Sequence, residues 1–448
     1  MNRSITSRNG FYSLADQIVV SGSRFLISIL VLKALGVSEL GTYGLVLSVM
    51  YLLLVVQQTL VTTPFANFRY RENSLSEAQY DSIVWCYSVV LAIVFAILVV
   101  GAGVLFSLLN SSFSNESQTL EKLAGGFFWA GATVPFLSQA EFFRRCWLVK
   151  LQSVNAFLLD SFVWLTSVAV IVALYFFEAL TLPAVFAVLT AFTACGSFFC
   201  WNKVVQFHSV SKHDVRRVAS RHWKFGHWIL FSESLTIGKT FGTKWILVGF
   251  LGLGAVGIYE ACHSLLRAIN PFFLAVANVA EPLIAKGYAK AGRDEVRRIA
   301  MKVLLVMLAG TIPICLAIGI SAPWLLELLY SNEVSQEWPV VVWLAATGVV
   351  YSVSFPFSNS IQAIGHPKIN FFIRLNSFFI VIAGSALVAP TYHLVGVAAM
   401  GTLGSVVALL LRLYFFFSFM GRASTAPGGD EFSESKLPHT MRNKGAIE

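Results

Sequence analysis

A chain of 448 residues that is 56% hydrophobic and only 12% charged, with a mean hydropathy of +0.72, carries more apolar surface than one soluble core can hide. It reads as a polytopic membrane protein, and no loop exceeds about twenty residues, which leaves no room for a soluble catalytic domain. The net charge of +9 is a matter of topology and does not point to nucleic acid.

In chain order, apolar runs of bilayer length predict twelve helices, at 13–35, 41–66, 82–109, 122–148, 152–176, 180–207, 225–250, 255–283, 300–326, 338–364, 369–390 and 393–420. The fold class is therefore all-α and polytopic, with twelve transmembrane helices. Residues 1–207 form an amino-terminal six-helix lobe, 208–224 a basic cytoplasmic linker, 225–420 a second six-helix lobe and 421–448 a disordered tail rich in Ser, Pro, Gly and charge. The first apolar span has no small-residue cleavage site after it, so it is expected to be retained. The linker carries Lys212, Arg216, Arg217, Arg221 and Lys224 among apolar residues; it fits either an amphipathic segment on anionic headgroups or a solvated connection. Lys and Arg crowd the termini and the loops after helices 2, 4, 6, 8 and 10, whereas the opposite loops hold only Lys33 and Lys122; both termini are expected in the cytoplasm. Six cysteines fall in or beside helices without metal spacing, so neither disulfides, nor a metal, nor a cofactor is expected.

The two halves look like copies of one unit. Leu35-Gly36, with Gly41 and Tyr43 following, recurs as Leu251-Gly252 with Gly257 and Tyr259, and Gly22-Ser23-Arg24-Phe25 recurs as Gly242-Thr243-Lys244-Trp245. The distance from cation to Leu-Gly differs by four residues, about one helical turn.

Ionisable groups at bilayer depth cost several kcal/mol unless they face protein or water, so each is a candidate for function. They concentrate on helices 1, 7 and 8. Gln17, Ser21, Arg24 and Ser28 share one stripe of helix 1; Glu233, Thr240 and Lys244 share one of helix 7; Glu260, Ser264 and Arg267 share a face of helix 8, which Pro271 should break. A wet cavity between the halves, lined by helices 1, 7 and 8 and by Gln57 and its hydroxyl-bearing neighbours on helix 2, accommodates all of them. Substrate-binding candidates are Arg24, Lys244, Arg267, Gln17, Thr240 and Gln57; ion-coupling candidates are Asp16, Glu233, Glu260 and His263. Arg24 and Lys244 are assigned to an anionic ligand because too few carboxylates lie near to neutralise both. Glu260 with His263 or Arg267 stays open between an ion pair and a coupling role. Lys239 and Arg412 are read as side chains that snorkel or pair elsewhere.

Asn9 to Tyr43, NGFYSLADQIVVSGSRFLISILVLKALGVSELGTY, resembles the opening of bacterial polysaccharide transporters, the O-antigen and exopolysaccharide flippases of the multidrug/oligosaccharidyl-lipid/polysaccharide (MOP) exporter superfamily. Gln362-Ala363-Ile364-Gly365-His366-Pro367 is similar to the turn after helix 10 in that family, with His366 at a position usually basic. The resemblance implies two lobes related by a pseudo-twofold axis and a central cavity that opens alternately to each face. The cargo it implies is a glycan on a polyprenyl pyrophosphate, with membrane lipids, a glycan polymerase and other assembly proteins as partners.

A multidrug or small-solute antiporter of the same superfamily is the near alternative, and would favour an acidic, aromatic cavity. A major-facilitator transporter is disfavoured because the loop after helix 2 lacks the Gly-x-x-x-Asp-Arg string. A membrane enzyme of glycan assembly lacks both a large external loop and a His-x4-Asp string, and no phosphate-binding Gly-x4-Gly-Lys loop is present.

Overall fold

The computed structural model describes residues 3–69, 75–112, 117–150, 152–204 and 211–420, and among them there is no strand. The tail expected at 421–448 lies outside the described residues. We number the long helices α1 (Arg3–Leu35), α2 (Val37–Gln57, continued by a π-helical stretch Gln58–Thr62 and by Thr63–Phe68), α3 (Glu77–Ser112), α4 (Ser117–Val149), α5 (Ser153–Phe176), α6 (Leu182–Val204), α7 (212–251), α8 (253–291), α9 (293–329), α10 (Trp338–Ala363), α11 (367–392) and α12 (394–420). Twelve membrane-length helices are thus present among the described residues. All but α4 meet the length and hydropathy of a membrane span, α7 with α8 and α11 with α12 as single stretches that fold back at Gly252 and His393. Helix α4 is long enough but more polar, since it carries Glu121, Lys122, Glu141, Arg144 and Arg145.

The turns are short because single residues with positive φ reverse the chain. Gly36 sits at φ 87°, ψ 176° and Gly252 at φ 82°, ψ 179°, the same conformation at equivalent places in the two halves. Only glycine reaches it without strain. Counting back from these turns along unbroken helices corrects one pairing drawn from the repeat: Arg24 lies about 18 Å from its turn and Lys244 about 12 Å, so Arg24 corresponds to Thr240 and Lys244 to Ser28. Residues 212–224, expected as a linker, are the first turns of α7, capped where Ser211 Oγ accepts from Asp214 N–H. Pro271 breaks α8 as its chemistry requires, and Leu266–Ile269 ahead of it tightens to a 3-10 turn.

The chain forms two six-helix lobes. In the amino-terminal one α3 packs on α4, α1 on α5 and α4 on α6. Side chains such as Ile93, Ile97, Leu105 and Leu108 on one flank of α3 stay exposed, a face suited to lipid. The lobes meet where α2 crosses α8. There a Cβ on Gly41 would overlap the Leu253 carbonyl, and a Cβ on Gly257 would overlap the Val37 carbonyl, a reciprocal contact of the kind a twofold axis makes. One turn on, the symmetry is broken: Glu260 rests on Gly44, whose missing Cβ would lie 3.4 Å from the Glu260 Cγ.

Candidate functional site

A cavity of about 670 Å³ lies inside the carboxy-terminal lobe, walled by α7, α8, α10, α11 and α12. An adjoining crevice of about 300 Å³ shares Asn270, Phe273, Tyr351 and Phe355 with it and is closed on its far side by Gln17 and Ser21 of α1. The cavity therefore reaches the seam between the lobes, and α1 contributes one edge of it rather than half its wall.

Of the expected lining residues, Thr240, Glu233, His263 and Arg267 face this cavity, and Gln17 faces the crevice. Gln57 does not. Its side chain is buried in the amino-terminal lobe, where Nε2 donates to Ser88 Oγ and to the Ser138 carbonyl, both at 2.9 Å. The hydroxyls of Thr59 and Thr62 turn back to carbonyls of their own helix, so α2 supplies no polar wall.

Lys244, assigned from sequence to a ligand, is instead buried against Glu260, Nζ to Oε2 at 2.5 Å, and Arg267 holds the other oxygen of the same carboxylate. One carboxylate thus serves two cations from α7 and α8, so Glu260 is ion-paired with Arg267 and with Lys244. A buried charge removed from water needs such partners. Arg24 lines neither the cavity nor the crevice: its guanidinium stacks on Tyr51, 5.1 Å from the ring centre, and on Trp164 at 4.7 Å. Asp16 sits in a separate buried cluster between α1, α4 and α5, where Arg144 reaches Asp16 at 2.7 Å, Asp160 at 2.6 Å and Glu141 at 3.2 Å, and Arg145 reaches Glu141 at 2.8 Å. Three carboxylates there face two guanidinium groups. Glu233 accepts from Arg374 at 2.9 Å, and the His263 ring lies parallel to Tyr259.

Sequence reasoning missed the cations that dominate the cavity. Arg374, which the sequence reading does not single out, projects from α11, and Arg412, expected to snorkel or pair elsewhere, donates to Ser354 Oγ. Lys239 reaches Ser377 Oγ at 3.5 Å. Polar side chains at helical spacing, Arg374 with Ser377 on α11 and Ser405 with Arg412 on α12, are the signal that marks these faces. The walls hold Lys239, Arg267, Arg374 and Arg412 against Glu233 and Glu281, with Ser, Thr, Asn and Tyr side chains between. Such a surface suits an anionic, hydroxyl-rich group better than an organic cation.

No family model matches the sequence. Over 190 residues the chain is 24% identical to the capsular polysaccharide biosynthesis protein CapF of Staphylococcus aureus; the match takes in 42% of this chain and about half, 48%, of that protein. Among solved structures it is similar to an inward-facing multidrug resistance MATE family transporter of the MOP superfamily, at 12% identity and a TM-score of 0.70, with 93% of this chain and 96% of that one covered. It is equally similar to the lipid II flippase MurJ in an inward closed conformation, at 12% identity and a TM-score of 0.70, covering 91% of this chain and 87% of that one. A MOP superfamily transporter from Pyrococcus furiosus follows at 14% identity and a TM-score of 0.54, with 93% of each chain covered. The fold is that of the MOP superfamily transporters.

Proposed function

From a chain with the MOP transporter fold, we propose a flippase that carries a lipid-linked glycan, a polysaccharide repeat unit on polyprenyl pyrophosphate, across the bacterial inner membrane. The observation that carries this reading is the cavity itself: cation-rich, lined with hydroxyls and amides, and continuous with a crevice between lobes through which a lipid chain can remain outside. The charged headgroup and sugars would occupy the cavity while the polyprenyl stays in hydrocarbon. The similarity to CapF and to the lipid II flippase supports a glycan cargo. Access alternates between the faces as the two lobes, 1–207 and 225–420, rock about the α2–α8 contact. Both termini lie in the cytoplasm on this reading, and no covalent chemistry is required of the chain. In the multidrug alternative the cavity would carry surplus acid, whereas four cations here face two carboxylates.

Coupling to an ion gradient belongs in the Asp16, Glu141, Arg144, Asp160 cluster, because three carboxylates around two arginines leave one position for a proton or a monovalent cation. Glu260 and Glu233 are held by cations and serve as structural counter-charges. Purified protein in proteoliposomes should move an undecaprenyl-pyrophosphate-linked oligosaccharide between leaflets, read by glycosidase protection, and Asp160→Asn should lower that rate at least about tenfold in an imposed gradient. Equal protection with empty liposomes would end the flippase reading.

A further inference from the structure

We propose that Lys239 and Arg412, with Ser354 and Ser377, form an anion subsite inside the carboxy-terminal lobe that takes the oxyacid group of the cargo; the inference deepens the flippase reading and rests on it. Of the four cations in the cavity, two already have carboxylates: Arg267 is held by Glu260, and Arg374 by Glu233. Among the described residues the other two have none. Lys239 Nζ touches only a hydroxyl, Ser377 Oγ at 3.5 Å, and Arg412 Nη1 donates to a hydroxyl, Ser354 Oγ at 2.5 Å, while its Nε has no protein partner. Among the described residues no Asp or Glu oxygen comes within 4.0 Å of either group.

Two unneutralised like charges on one cavity are costly in a membrane interior, where Arg144, Lys244 and Arg267 each sit against a carboxylate. The amino-terminal lobe gives Arg144 three carboxylates, and Glu260 alone covers two cations. A surplus of two charges left in one cavity is an arrangement that an incoming dianion completes. A further donor points the same way, since the Asn359 Nδ2 amide on the same wall also lacks a protein partner. Two cations in contact with serine hydroxyls, with an asparagine lining the same cavity, match phosphate or carboxylate oxygens, which accept several hydrogen bonds at once. The charge can come from a pyrophosphate link or from acidic sugars, which share this chemistry. Arg24 and Lys244 lie outside the subsite because neither lines this cavity, and Lys244 is already held by Glu260.

The test is thermal unfolding and titration of the purified full chain in detergent with sodium pyrophosphate, sodium glucuronate and sodium chloride at matched ionic strength. Wild type should be stabilised by pyrophosphate, by glucuronate or by both above the chloride control, and which of them acts identifies the source of the charge. The Lys239→Gln/Arg412→Gln double variant should bind the active anion at least about a hundredfold more weakly, about tenfold for each lost charge-assisted bond. Its ligand-free melting temperature should stay level or rise, because two repelling charges are gone; a merely structural pair would lower it. Arg24→Gln should keep wild-type affinity. Unchanged affinity in the double variant, no stabilisation of wild type by either anion, or a ligand-free melting temperature below wild type would each overturn the subsite. A wild type that flips the glycan while the double variant does so equally loses the subsite alone. Anion binding at these residues in a protein that flips no glycan removes the flippase reading and leaves the subsite standing.

Discussion

At the scale of single residues the molecule depends on a few side chains that share charges or leave space. Glu260 is one, since removing its charge strands Lys244 and Arg267 in a buried site. Glu260→Gln should cost about 3–5 kcal/mol, read as a fall in melting temperature, and Lys244→Met in the same chain should return part of it; additive losses would show that the two groups do not act together. Gly41 and Gly257 are the other kind. Gly257→Ala would drive a methyl into the Val37 carbonyl and should cost about 1–3 kcal/mol, whereas Gly44→Ala meets the Glu260 side chain at ordinary contact distance and should be tolerated; equal melting temperatures for the two variants would contradict the packing. The ionisable residues were legible in the sequence, and so was the cost of burying them. Which ones meet each other was not, because the pairing of Lys244 with Glu260 or of Asp16 with Arg144 depends on how separate helices cross. A stripe on one helix does not carry that information.

At the scale of elements, run length and glycine placement disclosed nearly everything about where helices begin and end, down to the reversals at Gly36 and Gly252. The departures come where an element outgrows its membrane span. Helix α7 is about 60 Å long at about 1.5 Å per residue, twice the roughly 30 Å hydrocarbon core. Its first turns, basic in sequence and expected as a connection, reach across to the other lobe. His222, fully buried, donates from Nδ1 to the Leu60 carbonyl at 3.2 Å and accepts from the Tyr80 hydroxyl at Nε2, 2.8 Å away. The tautomer follows from the carbonyl, which can only accept. Pro64 has no N–H to offer that carbonyl as an α-helical partner would, and the chain just ahead of it is π-helical. His222→Ala should therefore destabilise by about 1–3 kcal/mol, and less when Pro64→Ala supplies the missing donor; the same loss in both backgrounds would refute the capping role. Exposed Trp223, Trp228 and Phe231 follow on this helix, aromatic rings of the kind that settle at a headgroup boundary.

At the scale of the whole molecule, the two-lobe plan was legible from the repeat, yet the cavity was misplaced because a doubled sequence suggests a site shared equally by both copies. The cations gathered instead in one lobe, on α7, α8, α11 and α12, and α1 supplies only an edge. Orientation can be checked directly. In a cysteine-free background, a cysteine at Glu178, in the turn between α5 and α6, should react with a membrane-impermeant maleimide in intact spheroplasts, and one at Arg298, near the start of α9, only after permeabilisation; the reverse pattern would invert the topology. The contact between Glu260 and Gly44 carries a consequence for descent. Two copies of the first half would face each other across an empty notch, and two copies of the second would press carboxylate against carboxylate. Whatever symmetrical ancestor paired with itself, these halves have specialised past it, and neither can now replace the other.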